Sequence, residues 1–249
     1  MKKLTLLSLV STLACSSLTY ADCMGGGCSA NAMKGGAPFF ALEGGFANNS
    51  FDGYNFTLSP ALGTITSSED KQNYLARISA GMIMSIEEQF AVSGELGWGY
   101  YGKTTLTPVF VSYTGPVFVP GSLNTSYELS GFDALVGMLY TQPSFSLYFK
   151  AGALLENMKI KTNANFVSFN VADRMQYTST QTGVLPEVKV GGAYNFNENW
   201  ALTLSLMYAF GSSPGVTGDF NTVTTNSSLV VKNSNPTVGG VMIGIQATI

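Results

Sequence analysis

The stretch from Asn199 to Gly211, N-W-A-L-T-L-S-L-M-Y-A-F-G, decides the fold. Every second residue from Trp200 gives Trp200, Leu202, Leu204, Leu206, Tyr208 and Phe210, and the intervening set is Ala201, Thr203, Ser205, Met207 and Ala209. A side-chain period of two is the period of a β-strand. One face is wholly apolar with aromatics at both ends, and the other is small and mostly polar or modest. Trp and Tyr settle at membrane–water interfaces, so aromatic ends around an aliphatic middle suit a strand that faces lipid. A soluble sandwich strand shares the alternation but does not usually carry aromatics at both ends or repeat them around the chain.

Working outward, the same alternation recurs over Phe39–Ala47, Asn73–Met84, Phe90–Tyr100, Tyr127–Tyr140, Phe145–Glu156, Val184–Phe196 and a last run of Val241, Ile243, Ile245, Ala247 and Ile249. These make eight strands. Short polar links at 85–89, 141–144 and 197–199 alternate with long polar connections at roughly 48–72, 102–126, 157–183 and 211–236. Short turns on one side and long loops on the other are the pattern of a bacterial outer-membrane barrel, with both ends of the barrel on the periplasmic side. Pro186 lacks the N–H that a ladder needs, which predicts a place near the upper end of its strand.

Parity supports the same fold. With each apolar face turned outward, Glu43, Arg77, Glu95, Asp133, Lys150, Glu156, Glu187 and Lys189 all fall inward. A charge in hydrocarbon costs several kcal/mol, roughly, and a paired one inside a barrel much less. Side chains just about fill the interior of an eight-stranded barrel. The expected role of these eight is a structural ion-pair network, and the competing one a narrow ion pathway.

Composition agrees. Charged residues are 11% of the 249, against about 25% in soluble domains. Mean hydropathy is only +0.20, and beyond the leader no run approaches the about 20 apolar residues of a spanning helix. The net charge of −3 argues against an electrostatic nucleic-acid binder. Histidine is absent, which excludes Ser-His-Asp and Cys-His catalysis and His-ligated metals. No metal, cofactor or enzymatic activity is expected.

Residues 1–21 read as a secretory signal: Lys2 and Lys3, an apolar run from Leu4 to Ala14, and the small-x-small site Thr19-Tyr20-Ala21. A rival reading makes Cys15 a lipid-anchored first residue, but Thr12-Leu13-Ala14 lacks the Leu three positions upstream. Residues 22–36 read as a flexible periplasmic Gly/Cys tail, with Cys23 and Cys28 a candidate disulfide in an oxidising compartment. Two thiolates with no other nearby ligand make a poor soft-metal site. The barrel takes 37–249.

Two further patterns matter. Gly97-Trp98-Gly99-Tyr100-Tyr101-Gly102-Lys103-Thr104 satisfies the phosphate-loop string, which needs a buried strand before it and a helix after it. Here it ends a membrane strand, so its glycines are expected to relieve crowding. The repeated Pro108-Val109-Phe110-Val111 and Pro116-Val117-Phe118-Val119, with Phe166 and Phe169 in the next loop, form extended apolar segments. They predict hairpins that cap the barrel mouth or offer a contact surface.

The eight-strand plan, the N-W-A-L-T-L-S-L-M-Y-A-F segment and the ending G-V-M-I-G-I-Q-A-T-I resemble the small outer-membrane barrels of the outer-membrane protein A and opacity-protein type. That resemblance implies an all-β, eight-stranded antiparallel up-and-down transmembrane barrel in the outer membrane. It also implies recognition by the barrel-assembly machinery, a lipid environment, and a structural or adhesin-like role toward a host or cell-surface ligand. A small channel for ions or apolar solutes is the alternative. In that family an aromatic closes the last strand, whereas Ile249 stands here.

Overall fold

The computed structural model describes residues 36–51, 54–59, 63–69, 72–110, 121–168, 171–197, 199–221, 228–232 and 234–249. The described elements are all strands: β1 (Ala37–Ser50), β2 (Tyr54–Ser59), β3 (Gly63–Glu69), β4 (Gln72–Ser85), β5 (Phe90–Phe110), β6 (Gly121–Thr141), β7 (Phe145–Ser168), β8 (Val171–Asn195), β9 (Trp200–Ala209), β10 (Gly215–Asn221), β11 (Ser228–Lys232) and β12 (Thr237–Thr248).

Eight of them close into a ring. The order runs β5, β4, β1, β12, β9, β8, β7, β6 and back to β5, every neighbouring pair antiparallel. Closure satisfies every edge inside the membrane, where no water serves unpaired N–H and C=O groups. β1 pairs with β12 from Phe39 opposite Thr248 to Ser50 opposite Thr237, and the Ile249 N–H donates to the Pro38 carbonyl at 2.9 Å.

The alternation of β9 is carried into space, with Ala201 to Ala209 buried at every odd position and Trp200 to Tyr208 exposed at every even one. From Trp200 to Phe210 is ten steps, ~33 Å along the strand and ~25 Å along the membrane normal at a tilt of about 40°. Aromatic pairs mark both ends of this apolar height. Phe90 and Tyr140 lie 5.5 Å apart and Tyr194 and Phe196 5.6 Å apart at the periplasmic end; Phe46 and Tyr74 at 5.6 Å and Tyr208 and Phe210 at 4.7 Å mark the other.

The long connections differ from the loops read in the sequence. β5, β6, β7 and β8 run on past the apolar belt to Phe110, from Gly121, to Ser168 and from Val171. The first and fourth connections supply β2–β3 and β10–β11. β3 pairs with the upper end of β5, β2 with β3, β10 runs parallel to β2, and β11 closes the row. The physical reason is solvent: above the membrane the outward face meets water, so its residues turn polar (Lys103, Glu128, Lys159, Lys161) while the inward face stays packed (Leu106, Tyr127, Ile160), and the lipid-facing pattern stops while the ladder continues. Pro186 therefore lies within β8, not at its end. Its carbonyl accepts from the Phe210 N–H at 2.8 Å, so the missing donor faces the point where β9 stops and interrupts no pairing with β7.

Candidate functional site

The interior is layered. Phe39, Ile83, Ala91, Leu139 and Tyr148 form an apolar floor near the periplasmic end. A larger apolar layer near the outer end includes Leu75, Tyr101, Leu129, Leu154, Leu185, Met158 and Met207. Between them the inward charges gather. Glu43, Arg77, Glu95, Asp133, Lys150, Glu156, Glu187 and Lys189 are all buried.

Register explains which of them meet. Glu43 lies directly across from Arg77 on β1 and β4. The Arg77 guanidinium donates to Glu43 Oε2 at 2.7 Å, to Glu95 Oε1 at 2.5 Å and, through Nε, to Asp133 Oδ2 at 2.9 Å; its Nη2 also bonds Asp133 Oδ1. This uses the rigid fork that suits Arg to carboxylates. Lys150 and Lys189 are directly opposed on β7 and β8, a repulsive placement on its own. Glu95 straddles them, bonding Lys150 through Oε2 and Lys189 through Oε1 at 3.5 Å. Lys189 also donates to Glu43 at 2.6 Å, and Ser205 Oγ donates to the other Glu43 oxygen at 3.1 Å. The Lys150 ammonium sits over the rings of Phe39 at 5.1 Å and Tyr148 at 4.9 Å, which joins the network to the floor.

Three carboxylates and three cations thus share one bonded cluster of zero net charge. The other two carboxylates stand apart. Glu156 accepts one bond, from Asn235 Nδ2 at 3.1 Å, and neither oxygen of Glu187 has a hydrogen-bond partner among the described residues. Replacing Glu187 by Gln is therefore expected to leave stability within about 1 kcal/mol of the parent, or to raise it, because no pairing is lost and a buried charge is removed. Urea unfolding in detergent micelles checks this; a loss of about 3 kcal/mol or more, the range for breaking a buried ion pair, would show that Glu187 is a working member of the network.

The phosphate-loop string supports the same interior. A Cβ at Gly97 would lie 2.5 Å from Arg77 Nη2 and 2.8 Å from Asp133 Oδ1, and one at Gly99 would lie 2.7 Å from the Tyr101 ring. Both glycines make room for the groups that fill the barrel. Tyr101 itself is the extra residue of a β-bulge, since Tyr100 pairs with Ser130 and Gly102 with Leu129. Gly102 takes φ +97°, the left-handed conformation that favours glycine. Asn49 Nδ2 donates to the Tyr101 carbonyl at 2.9 Å and Asn73 Nδ2 to Thr104 Oγ1 at 2.8 Å, tying the bulge to β1 and β4.

Sequence reasoning missed Ser205, Asn235 and Tyr101. Ser205 had a signal, its place on the inward face of β9. Asn235 had none, because it lies in a connection and reaches Glu156 only through the fold. Of the apolar loop residues, Phe110 and Phe166 fall on the upper ends of β5 and β7. Phe118 and Phe169 lie outside the described residues, as do Cys23, Cys28 and the leader.

At the periplasmic end a pocket of about 30 Å³, lined by Ile83, Leu139, Tyr148 and Lys150 among others, has room for about one water. A closed barrel with an apolar exterior between two aromatic girdles, filled by a charged plug between apolar layers, is an integral β-barrel of the bacterial outer membrane.

No protein-family model and no curated protein matches the sequence. Among solved structures the chain is similar to Ail, the attachment invasion locus protein of Yersinia pestis, at 14% identity, covering 86% of this chain and 99% of that one with a TM-score of 0.43. It is also similar to the outer membrane protein OprG from Pseudomonas aeruginosa (14% identity, 86% and 97% covered, TM-score 0.45) and to the outer membrane protease OmpT from Escherichia coli (9% identity, 86% and 97%, TM-score 0.45).

Proposed function

We propose that this barrel is a structural and surface-contact component of the outer membrane, adhesin-like, whose partners are met by the strands above the lipid. The observation that carries this is the filled interior: the bonded cluster around Arg77, with an apolar layer on either side, leaves the barrel itself nothing to transport. The outward strands β2, β3, β10 and β11 and the upper halves of β5 to β8 are then the working part. Binding to a host or cell surface would be read there, and the barrel-assembly machinery would be met only during insertion. The chain has no histidine, and the reading adopted is a non-enzyme.

Purified barrel in planar bilayers is expected to be electrically silent. Steady cation-selective steps that vanish in an Arg77 variant would sink the reading in favour of a channel. Deleting residues 54–69 is expected to abolish attachment of expressing cells to a surface bound by the parent, while the boiled-versus-unboiled mobility shift of the folded barrel persists.

A further inference from the structure

The bulge at Tyr101 does more than fit a ring. Before it, Ala91, Ser93, Glu95, Gly97 and Gly99 point inward; after it, Gly102, Thr104 and Leu106 do. The inserted residue inverts parity, as a bulge does when it re-aims a side chain. Without it Lys103 would point into the apolar layer. With it Lys103 faces outward and is exposed.

What Lys103 joins is set by register. Tyr100 lies opposite Ser130 and Ser130 opposite Asn157, the first row with polar members above the last wholly apolar row of Trp98, Phe132 and Leu155. The next row is Lys103, Glu128 and Lys159, and the next Thr105, Ser126 and Lys161. Lys103, Lys159 and Lys161 are all exposed, and none forms an ion pair among the described residues. Lys159 is four residues beyond Leu155, ~13 Å along a tilted strand, and a lysine stem reaches back toward the interface. At a tilt of about 40° that is ~10 Å along the membrane normal, so the Lys103 and Lys159 ammoniums stand in the layer of about 5–8 Å between hydrocarbon and water and that of Lys161, one row higher, at its outer edge. The opposite rim has the other sign: the periplasmic turn 86–89 exposes Glu87 and Glu88.

We propose that Lys103, Lys159 and Lys161 form a site for the phosphate groups of an outer-leaflet lipid headgroup, docked against the β5–β7 face of the barrel. The proposal rests on the outer-membrane reading above for which end faces out. Charge complementarity and height together select this occupant. Three unpaired cations and one carboxylate face sideways at headgroup depth, where anionic lipid is attracted to basic side chains. A soluble protein approaching from outside would meet the strand tips first.

The test uses the full mature chain reconstituted in vesicles of phosphatidylcholine with bisphosphorylated lipid A, in parallel with phosphatidylcholine plus phosphatidylglycerol. The barrel is then extracted in mild detergent and the lipid A retained per barrel is measured. K103Q/K159Q/K161Q is expected to retain roughly ten-fold less lipid A than the parent, K103R/K159R/K161R to match the parent, and E87Q/E88Q to change nothing. The parent's advantage is expected to shrink at high salt, where exposed charges are screened. An unheated-versus-boiled gel confirms that each variant is folded, and K103Q alone gives a partial loss. Equal retention by the parent and the triple glutamine variant overturns the proposal. So does an equal, lysine-dependent affinity for a soluble sulfated glycan in lipid A-free micelles, which would make the patch a site for an external partner. Neither result bears on whether the barrel conducts or attaches cells.

Discussion

Arg77→Met is expected to lower the unfolding free energy of the barrel by about 3–5 kcal/mol, the range for removing one partner of a buried ion pair. The loss belongs at the upper end here, because one guanidinium serves three carboxylates: Glu43, Glu95 and Asp133. Lys189 still reaches Glu43 and Glu95, and Lys150 still reaches Glu95. Among the described residues Asp133 has no other cation. Adding Asp133→Asn to Arg77→Met is then expected to restore part of the loss, which is the signature of a coupled pair. Arg77→Lys keeps the charge but not the fork, and should recover less than half. Urea titration in lipid vesicles, followed by tryptophan fluorescence, measures all three. A loss below 1 kcal/mol for Arg77→Met would mean that water enters the interior freely enough to solvate what the guanidinium leaves behind.

The second large effect is expected at Gly102. Gly102→Ala should cost about 2–5 kcal/mol, combining the strain of a positive φ for a side-chain-bearing residue with overpacking. The added methyl carbon would sit 2.2 Å from Asn73 Cβ, and Asn73 holds the bulge through Thr104. The more telling readout is direction. If the bulge is lost, everything beyond it changes face. A Lys103→Cys probe, reactive to a membrane-impermeant maleimide in the parent background, should lose that reactivity when Gly102→Ala is added. Unchanged labelling and unchanged stability together would show that the bulge tolerates a side chain and that glycine is there for another reason.

That bulge also marks how far the sequence could be read. Below it, each strand has one face in lipid and one in the interior, and the contrast between Phe, Leu or Val and Glu, Ser or Gly writes the parity into the residues. β9 is the clearest case. Above it the outward face meets water, so Thr105, Ser126, Lys161 and Thr178 stand where the apolar belt would continue, and the lipid-facing pattern that marks a membrane strand is gone although Leu106, Tyr127 and Ile160 still pack inward. The upper halves of β5 to β8 and the four short strands β2, β3, β10 and β11 therefore look like loops in the sequence, although their ladders are continuous with the barrel. The string from Gly97 to Thr104 lies wholly within β5 and opens no helix. What it lacked was any sign that Tyr100-Tyr101 straddles a change of face, because both tyrosines suit an interface. The bonded pairs among the inward charges were likewise invisible. Parity says that a residue points inward, but height around a tilted barrel decides which partner it meets.

The pairing of β1 with β12 has a consequence in time. The two strands that seal the cylinder are the earliest and the latest described portions of the chain to be synthesised, with every other described strand made between them. No partial polypeptide can complete the ring, so each intermediate carries two bare rims of hydrogen-bonding groups until the final segment arrives. Closing so distant a contact is slow, and an open rim invites pairing with another chain. Because these strands lie side by side, with Ile249 bonded to Pro38, a short linker between them and new ends cut at the 141–144 turn should yield the same cylinder. In such a permutant the seal would be made by β6 and β7, and the last strand to emerge would no longer be the one that ends in isoleucine.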